Sequence, residues 1–540
     1  MGLVSLAFSL YLKGLDRRLR RAAADPAAAQ RRVLAGLVRR ARDTWFGRRH
    51  DFGSIAGPAD FAQAVPIASY DERLDVFERI WAGEPDVCWP GRPPYFARTS
   101  GTTAAEKHIP HTHEGLRSNM RAGRALYAYY TRAGGAALRH LVGGDHLWVT
   151  CSANLRSVAW GAKVGDICGI AASRLPWWAA HWYQPGKDLA AVDDWEARIE
   201  AAARRVVGRD VRMVAGVPSW LKVFFDRLCA IGGADSEGGL SRLWPNLAVL
   251  VHLGVSFEPY RTTFARYFRP GHRMEYLEVY AASEGFIAIQ PDPRAAAMEV
   301  LTDNGIFYEF VPHGEWGQPD PPRLSIGQVE RGVPYCVVLS TNSGLWAYDL
   351  GDVVEFASVR PPEIIFAGRH QQFINAFGEH VTGRQLALAV GSAADATGAR
   401  VQEFTAAPCY PDRDRRVGAY QFVVEFEEGP AWGPSSQAAP ACDGDPFARR
   451  LDGALIALNP EYAKKRKGNV AMTAAEVTAV PPGTFYAWMK DRGRLGGQNK
   501  VPLCAGDRRH VEDLLAFAAM RSGAVPPSTG EPARPPPAPP

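Results

Sequence analysis

The sequence predicts an α/β protein of more than one domain, and three observations carry that expectation. Between about residues 145 and 280, short apolar runs alternate with amphipathic stretches, which is the pattern of an α/β domain. From about residue 298 the pattern shifts to strands and turns, a second and more β-rich subregion, and after Ala367-Gly368-Arg369 the character changes again. The 540 residues also exceed what one hydrophobic core supports.

Residues 1 to about 50 read as two helices joined near Asp25-Pro26, because apolar residues recur there at three- and four-residue spacing. Tyr70 to Trp81 reads as another helix. Strand-like Tyr95-Phe96-Ala97 leads into a hydroxyl-rich loop, and the chain returns as a second strand through Ile109. Helices are expected at Glu114 to Arg132, Asp194 to Val207, Ser219 to Cys229 and Tyr260 to Phe268. Strands are expected at Leu147 to Thr150, Val211 to Val217, Leu247 to Leu253 and Tyr276 to Tyr280. Leu247 to Leu253 is continuously apolar, as in a sheet covered on both faces. Further strands are expected at Gly305 to Phe310, Tyr335 to Ser340, Val353 to Phe356, Ile364 to Phe366 and Phe422 to Phe426. Pro446 to Leu458 reads as a helix with proline in its first turn. A Gly/Pro/Ser/Ala loop spans 429–445, and the chain beyond Ser522 has the composition of a disordered tail.

A net charge of +5, from 62 basic and 57 acidic residues, is too mild to imply nucleic acid. Much of the excess is arginine in the first 42 residues, which suits solvated helix faces; contact with a membrane surface is the alternative. Eight scattered cysteines without a C-x-x-C indicate neither a zinc site nor a disulfide framework, so a reducing cytoplasm is expected. Met1 to Leu12 lacks the flanks of a signal peptide, misses the myristoylation pattern and falls short of the ~20 apolar residues of a membrane span. An amphipathic first helix with no integral membrane association is expected.

Four hydroxyls, Thr99, Ser100, Thr102 and Thr103, surround Gly101, and Lys107 follows. Glycine lets backbone N–H groups approach a bulky anion, and the hydroxyls and lysine add donors and charge, which suits a nucleotide triphosphate. It is not a Walker A loop, since Lys107 is followed by His108 and Pro110 favours an extended return. The stretch alone leaves open a polar hairpin without a ligand.

Tyr280-Ala281-Ala282-Ser283-Glu284-Gly285 follows a strand, where ligands of α/β domains gather. Glu284 there suits Mg2+ on nucleotide phosphates, or a salt-bridged turn. Asp352, after Gly351 and ahead of a strand, suits a ribose diol or an ordinary turn. Phe366 to Arg369 and Phe373 to Val381 mark a candidate interdomain hinge. Lys500 lies on the glycine-rich Gly496-Gly497-Gln498-Asn499-Lys500, as a lysine that swings onto a substrate or as an exposed loop lysine.

In this order and at these separations the stretches resemble the auxin-responsive acyl-acid amido synthetases, the Gretchen-Hagen-three family of adenylate-forming enzymes. The resemblance runs from Val65-Pro66-Ile67-Ala68-Ser69-Tyr70 to about residue 515. It implies a large N-terminal adenylate-forming domain (1–369) that binds ATP and a carboxylic acid, and a smaller mobile α+β domain (370–522) ahead of the Pro-rich tail (523–540). A carboxylic acid would attack the α-phosphate to give an acyl-adenylate and pyrophosphate; an amine, typically an amino acid, would then displace AMP. By the resemblance Ser100, Gly101, Thr102 and Thr103 cradle phosphates, and Lys107, Tyr280, Ser283 and Arg369 join them on the nucleotide. Glu284 would hold Mg2+, Asp352 the ribose, and Lys500 the charge that develops in adenylation, so that Lys500 and Glu284 are the catalytic pair. The family pattern Tyr-Arg-x-Gly-Asp is broken here by Asp349 in place of arginine. An acyl-CoA ligase with the same first half-reaction and a non-catalytic nucleotide-binding protein recruited through the Pro-rich tail are the rival readings.

Three other clusters have two readings each. His108, His111 and His113 suggest metal, but His111 and His113 are expected to share one strand face with no third ligand. Trp160, Trp177, Trp178, Trp182 and Tyr183 suit an apolar acyl pocket or plain packing. Arg117 and Arg121 suit a substrate carboxylate or a solvated helix face.

Overall fold

A computed structural model of the chain describes residues 3–100, 106–132, 138–141, 143–149, 152–175, 177–254, 257, 260–370, 373–374, 376–377, 379, 381–410, 417–427, 445–469, 472–495, 500–505 and 507–522. Two compact units emerge, one of Met1–Gln371 with Gly496–Lys500, the other of Gln372–Leu495 with Val501–Pro540. The loop 429–445, apart from Asp445, and the tail beyond Ser522 lie outside the described residues.

The first unit opens with helices Leu3–Ala24 and Pro26–Ala41. Asp25 separates them and caps the second, its side chain accepting from the Ala28 N–H at 3.0 Å. The strands are β1 (Tyr95–Ser100), β2 (Glu106–His111), β3 (Asp145–Val149), β4 (Arg156–Ser157), β5 (Lys163–Gly165), β6 (Tyr183–Gln184), β7 (Val211–Gly216) and β8 (Val249–Leu253). Then come β9 (Glu275–Ala281), β10 (Phe286–Ile289), β11 (Met298–Val300), β12 (Ile306–Pro312), β13 (Leu324–Ser325), β14 (Pro334–Thr341), β15 (Tyr348–Val359) and β16 (Pro362–Arg369). β1 and β2 form an antiparallel hairpin in a small sheet with β5 and β4. Among the described residues twelve strands make one sheet, ordered β13-β12-β14-β15-β16-β11-β10-β9-β8-β7-β3-β6. The β-rich subregion expected after residue 298 is therefore not separate. Its strands continue the α/β sheet, because β9 pairs in parallel with β8 on one side and antiparallel with β10 on the other.

β3, β7 and β8 are buried on both faces, as the apolar run on β8 requires. Met213, Ala215, Val249, Val251, Leu277 and Val279 join Leu126 and Tyr129 of the helix His113–Arg132 in one core. The helix expected over Tyr260 to Phe268 is shorter, Arg261–Ala265. Tyr267 and Phe268 donate to carbonyls three residues back, tightening the turn ahead of Pro270.

The second unit has its own sheets: β17 (Phe373–Ile374) with β18 (Val381–Thr382), and β19 (Val401–Cys409), β20 (Ala419–Phe426) and β21 (Glu476–Val480) side by side. Thr382 and Gln385 form a capping box on helix Gly383–Thr397, which packs Leu386 and Val390 against Phe404, Tyr420 and Phe422. Buried Glu379 accepts from the Ala376 and Phe377 N–H groups and from the Tyr420 hydroxyl, so a carboxylate organises this unit's first loop.

Candidate functional site

The β1–β2 hairpin is held from below. Tyr70 stacks on Phe77 with ring centres 4.4 Å apart, and its hydroxyl accepts from the His108 N–H at 3.2 Å. The Lys107 Nζ lies 5.5 Å from the Tyr70 ring centre. Gly101, Thr102 and Thr103, at the hairpin's tip, lie outside the described residues, as does the side chain of Ser100. Pairing of Thr99 with Lys107 brings the lysine to the base of that tip.

At the carboxyl end of β9 the chain makes a tight turn through Ser283 and Glu284, closed by paired bonds between Ala282 and Gly285. The last residue of β2 locks that turn: His111 Nε2 donates to the Ser283 carbonyl at 2.8 Å. Burial pushes the His111 imidazole down to about 4, and its Nδ1 has no hydrogen-bond partner. The Glu284 carboxyl accepts from the Tyr348 hydroxyl at 3.3 Å. Burial raises its pKa; among nearby charges Asp352 pushes the same way, and Arg369 and Lys107 oppose. A cation on Glu284 would reverse the balance.

β10 and β11 are four and three residues long, and the β11 register with β16 ends at Ile364. Beyond that point Phe366 of β16 meets the Tyr280 ring, with centres 5.5 Å apart. The Tyr280 hydroxyl reaches Asp352 Oδ2 at 2.6 Å, and Arg369 Nε donates to Asp352 Oδ1 at 3.0 Å. Burial and the Asp352 charge hold the Tyr280 phenol well above its ordinary range, so it is a donor. Burial works against the Arg369 charge, and Asp352 together with Glu284 and Tyr280 outweighs it.

Lys500 belongs to the first unit, where its Nζ donates to the carbonyl of Gly254 at 3.0 Å, just past β8. Gly254 has φ +88, and a Cβ there would lie against the lysine head group. Lys107, Tyr280, Ser283, Glu284, Asp352 and Arg369 thus gather around the end of β9, and Lys500 is anchored beyond the neighbouring strand.

Several expectations are corrected. Asp352 does not precede a strand: β15 begins at Tyr348 and runs through it, because Gly351 at φ +82 forms a bulge inside the strand rather than a turn before it. His111 and His113 do not share a strand face, since Thr112 accepts from the Gly115 N–H and a helix starts at His113. His108 stacks on Trp81 instead, 3.9 Å between centres. Trp160 packs on Phe96 and donates to the Trp81 carbonyl, while Tyr183 is buried on β6 beside Ala172 and Ala190. The side chains of Trp177 and Trp178 lie outside the described residues. Arg117 is exposed beside the His113 carbonyl, and Arg121 donates to Ser118 and to the Asp303 carbonyl. Sequence reasoning gave Tyr348 no site role and read His111 only as a metal candidate, because no local pattern ties either to the Ser283 turn.

The chain matches the model of the GH3 family N-terminal domain over residues 16–159 and 161–272, the central domain over 299–369 and the C-terminal domain over 384–509. It is 24% identical over 556 residues, covering 88% of both chains, to the probable indole-3-acetic acid-amido synthetase GH3.2 of Oryza sativa subsp. japonica. It is 28% identical over 366 residues to the probable indole-3-acetic acid-amido synthetase GH3.9 of the same organism, covering 64% of this chain and 79% of the relative. The structure of a GH3.15 acyl acid amido synthetase superposes with a TM-score of 0.73 at 18% identity, covering 95% of this chain and 96% of that one. A 2-hydroxyisobutyryl-CoA ligase in its postadenylation state superposes with a TM-score of 0.56 at 13% identity over 93% of both chains. At these identities the structural likeness is one of fold.

Proposed function

The chain belongs to the GH3 family, and we propose that it is an ATP-dependent acyl-acid amido synthetase. One observation supports this most: Lys107, Glu284 and the Tyr280–Asp352–Arg369 group converge at the carboxyl end of β9 in a chain that is GH3-like along most of its length. Homologues are named as indole-3-acetic acid-amido synthetases, which supports an amino acid as acceptor and an organic acid as donor.

In the first step a carboxylate oxygen attacks the α-phosphorus of ATP, and the bond to the bridging oxygen breaks to release pyrophosphate. The hydroxyls and N–H groups of residues 99–103 and Lys107 hold the phosphates, and Ser283 lines the nucleotide beside Tyr280. Asp352 accepts the ribose hydroxyls while Tyr280 and Arg369 fix its orientation. Lys500 stabilises the charge that builds on the phosphate, a preorganised electrostatic contribution. In the second step the amine attacks the acyl carbon, AMP leaves with the C–O electron pair, and the amine's proton is lost to solvent.

Glu284 suits Mg2+. Burial raises its pKa, a penalty on the charged form that a bound cation would offset, and among the described residues no group of three or more acidic, His or Cys side chains forms a cage. That is the donor set for a magnesium carried mainly by phosphate oxygens. Bound there, the ion would neutralise charge on the leaving pyrophosphate. A cytoplasmic enzyme is proposed from its eight scattered cysteines without a C-x-x-C; no described helix is long and apolar enough to cross a membrane.

Exchange of labelled pyrophosphate into ATP, measured across a panel of carboxylic acids, tests the reading. Acid-dependent exchange is expected; no exchange with any acid together with no ATP binding overturns it. Product masses with amino acids and with coenzyme A then identify the acceptor, and a thioester in place of an amide would make the protein an acyl-CoA ligase.

A further inference from the structure

The surroundings of Asp349 give it a definite task. Its Oδ1 accepts the Gly351 N–H at 2.8 Å, two residues on, which is the geometry of an Asx turn. Gly351 has φ +82, a conformation open to glycine and otherwise strained. The Gly351 carbonyl accepts the His370 N–H at 2.9 Å, and the His370 ring returns to Asp349, with Nε2 3.0 Å from Oδ2 and 3.2 Å from Oδ1. Trp316 covers the His370 ring, centres 4.9 Å apart, and the Asp349 and His370 side chains are only 13% and 9% exposed. The Asp349 backbone is held as well, its N–H donating to the Ala68 carbonyl at 3.0 Å.

The bulge sits immediately before Asp352, which is paired in register with Arg369 across the hairpin. The backbone torsions at Gly351 therefore set where the Asp352 carboxylate points. An arginine at 349 has no acceptor to offer the Gly351 N–H, and its charge would face His370. Asp349, Gly351 and His370 make one hydrogen-bonded unit.

We propose that Asp349, braced by His370, is a positioning residue for the ribose end of the nucleotide site: it holds the Gly351 bulge that aims Asp352. The inference rests on the reading of Asp352 as the ribose carboxylate, and it has Asp349 act through the Gly351 backbone. Its signature is loss of discrimination for ribose hydroxyls, which a general loss of stability does not produce.

The test is calorimetric binding of ATP, 2′-deoxy-ATP and 3′-deoxy-ATP to the full chain and its variants, with melting temperature recorded alongside. Asp349→Ala is expected to lower the preference for ATP over the deoxynucleotides by about tenfold, the scale of a mispositioned polar contact. Asp349→Asn keeps an oxygen for the Gly351 N–H and is expected to restore most of the preference. His370→Ala, which leaves β15 untouched, is expected to move the ratio in the same direction by a smaller factor and carries the test should Asp349→Ala fail to fold. Asp352→Asn is the control. If it abolishes the preference while Asp349→Ala and His370→Ala leave it at the parent value, the ribose reading stands and the positioning role is overturned. If Asp352→Asn leaves the preference intact, the ribose reading fails and takes the inference with it.

Discussion

His111 is buried at the end of β2 with its Nε2 proton committed to the Ser283 carbonyl, so its neutral form is built into the fold. Its pKa falls from the ordinary 6.5 to about 4 because burial penalises the charge. The folded state therefore refuses a proton that the unfolded chain accepts. Stability from this residue is complete above pH 6.5 and is lost as pH falls towards 4, about 3 kcal/mol in all at roughly 1.4 kcal/mol per unit. His252, pushed to about 3 by burial and by Arg261, adds a loss of the same sign. His111→Gln keeps a donor for Ser283 but cannot titrate. Its urea stability should fall less steeply below pH 6.5 than the parent's, and parallel curves would refute this account. Lys500 makes a different prediction. Its anchor is the Gly254 carbonyl, and its proposed work begins only when charge develops on the phosphate. Lys500→Ala should lower pyrophosphate exchange about 10²–10³-fold while ATP binding changes by less than about threefold. Unchanged exchange in that variant removes the lysine from the mechanism.

Elements depend on a few buried polar pairs that reach across them. Arg323, beside β13, meets Glu309 of β12 at 2.7 Å with both side chains nearly inaccessible, and it donates also to the Ala62 and Val65 carbonyls at the helix Pro58–Ala64. Burial raises the Glu309 pKa and Arg323 opposes it. Arg323→Met would leave that carboxylate buried without its cation, at a cost of about 3–5 kcal/mol in urea unfolding. Removing both partners, as Glu309→Leu with Arg323→Met, should recover part of the loss; a double variant no better than the single one refutes the pairing argument. Most elements were legible because their signals are local. Proline at the first turn and apolar spacing mark the helix Pro446–Leu458 at both ends, and the unbroken apolar run marks β8. β15 was legible only from Val353, because Asp349, Gly351 and Asp352 read as a turn in sequence, and only pairing with β14 and β16 makes them strand.

At the scale of the molecule each unit has a core of its own. Leu386, Phe404, Tyr420, Phe422 and Tyr462 pack in the second, and Met213, Val249, Leu277 and Tyr129 in the first. Calorimetry should therefore resolve more than one unfolding transition. Leu386→Ala, which empties a fully buried site, should lower only one of them, by about 2–5 kcal/mol. A single transition shifted as a whole would show the units to unfold together. The α/β class, the order of most elements and the stretches from which the candidate site is built were legible in the chain alone, since periodicity, punctuation and motif spacing are properties of neighbouring residues. Who meets whom is settled by strand pairing. Tyr280 finds Asp352 72 residues away, His111 finds the Ser283 carbonyl 172 residues away, and Asp349 finds His370 across the β15–β16 hairpin. Those meetings follow from strand order and register, and no local pattern of side chains encodes either.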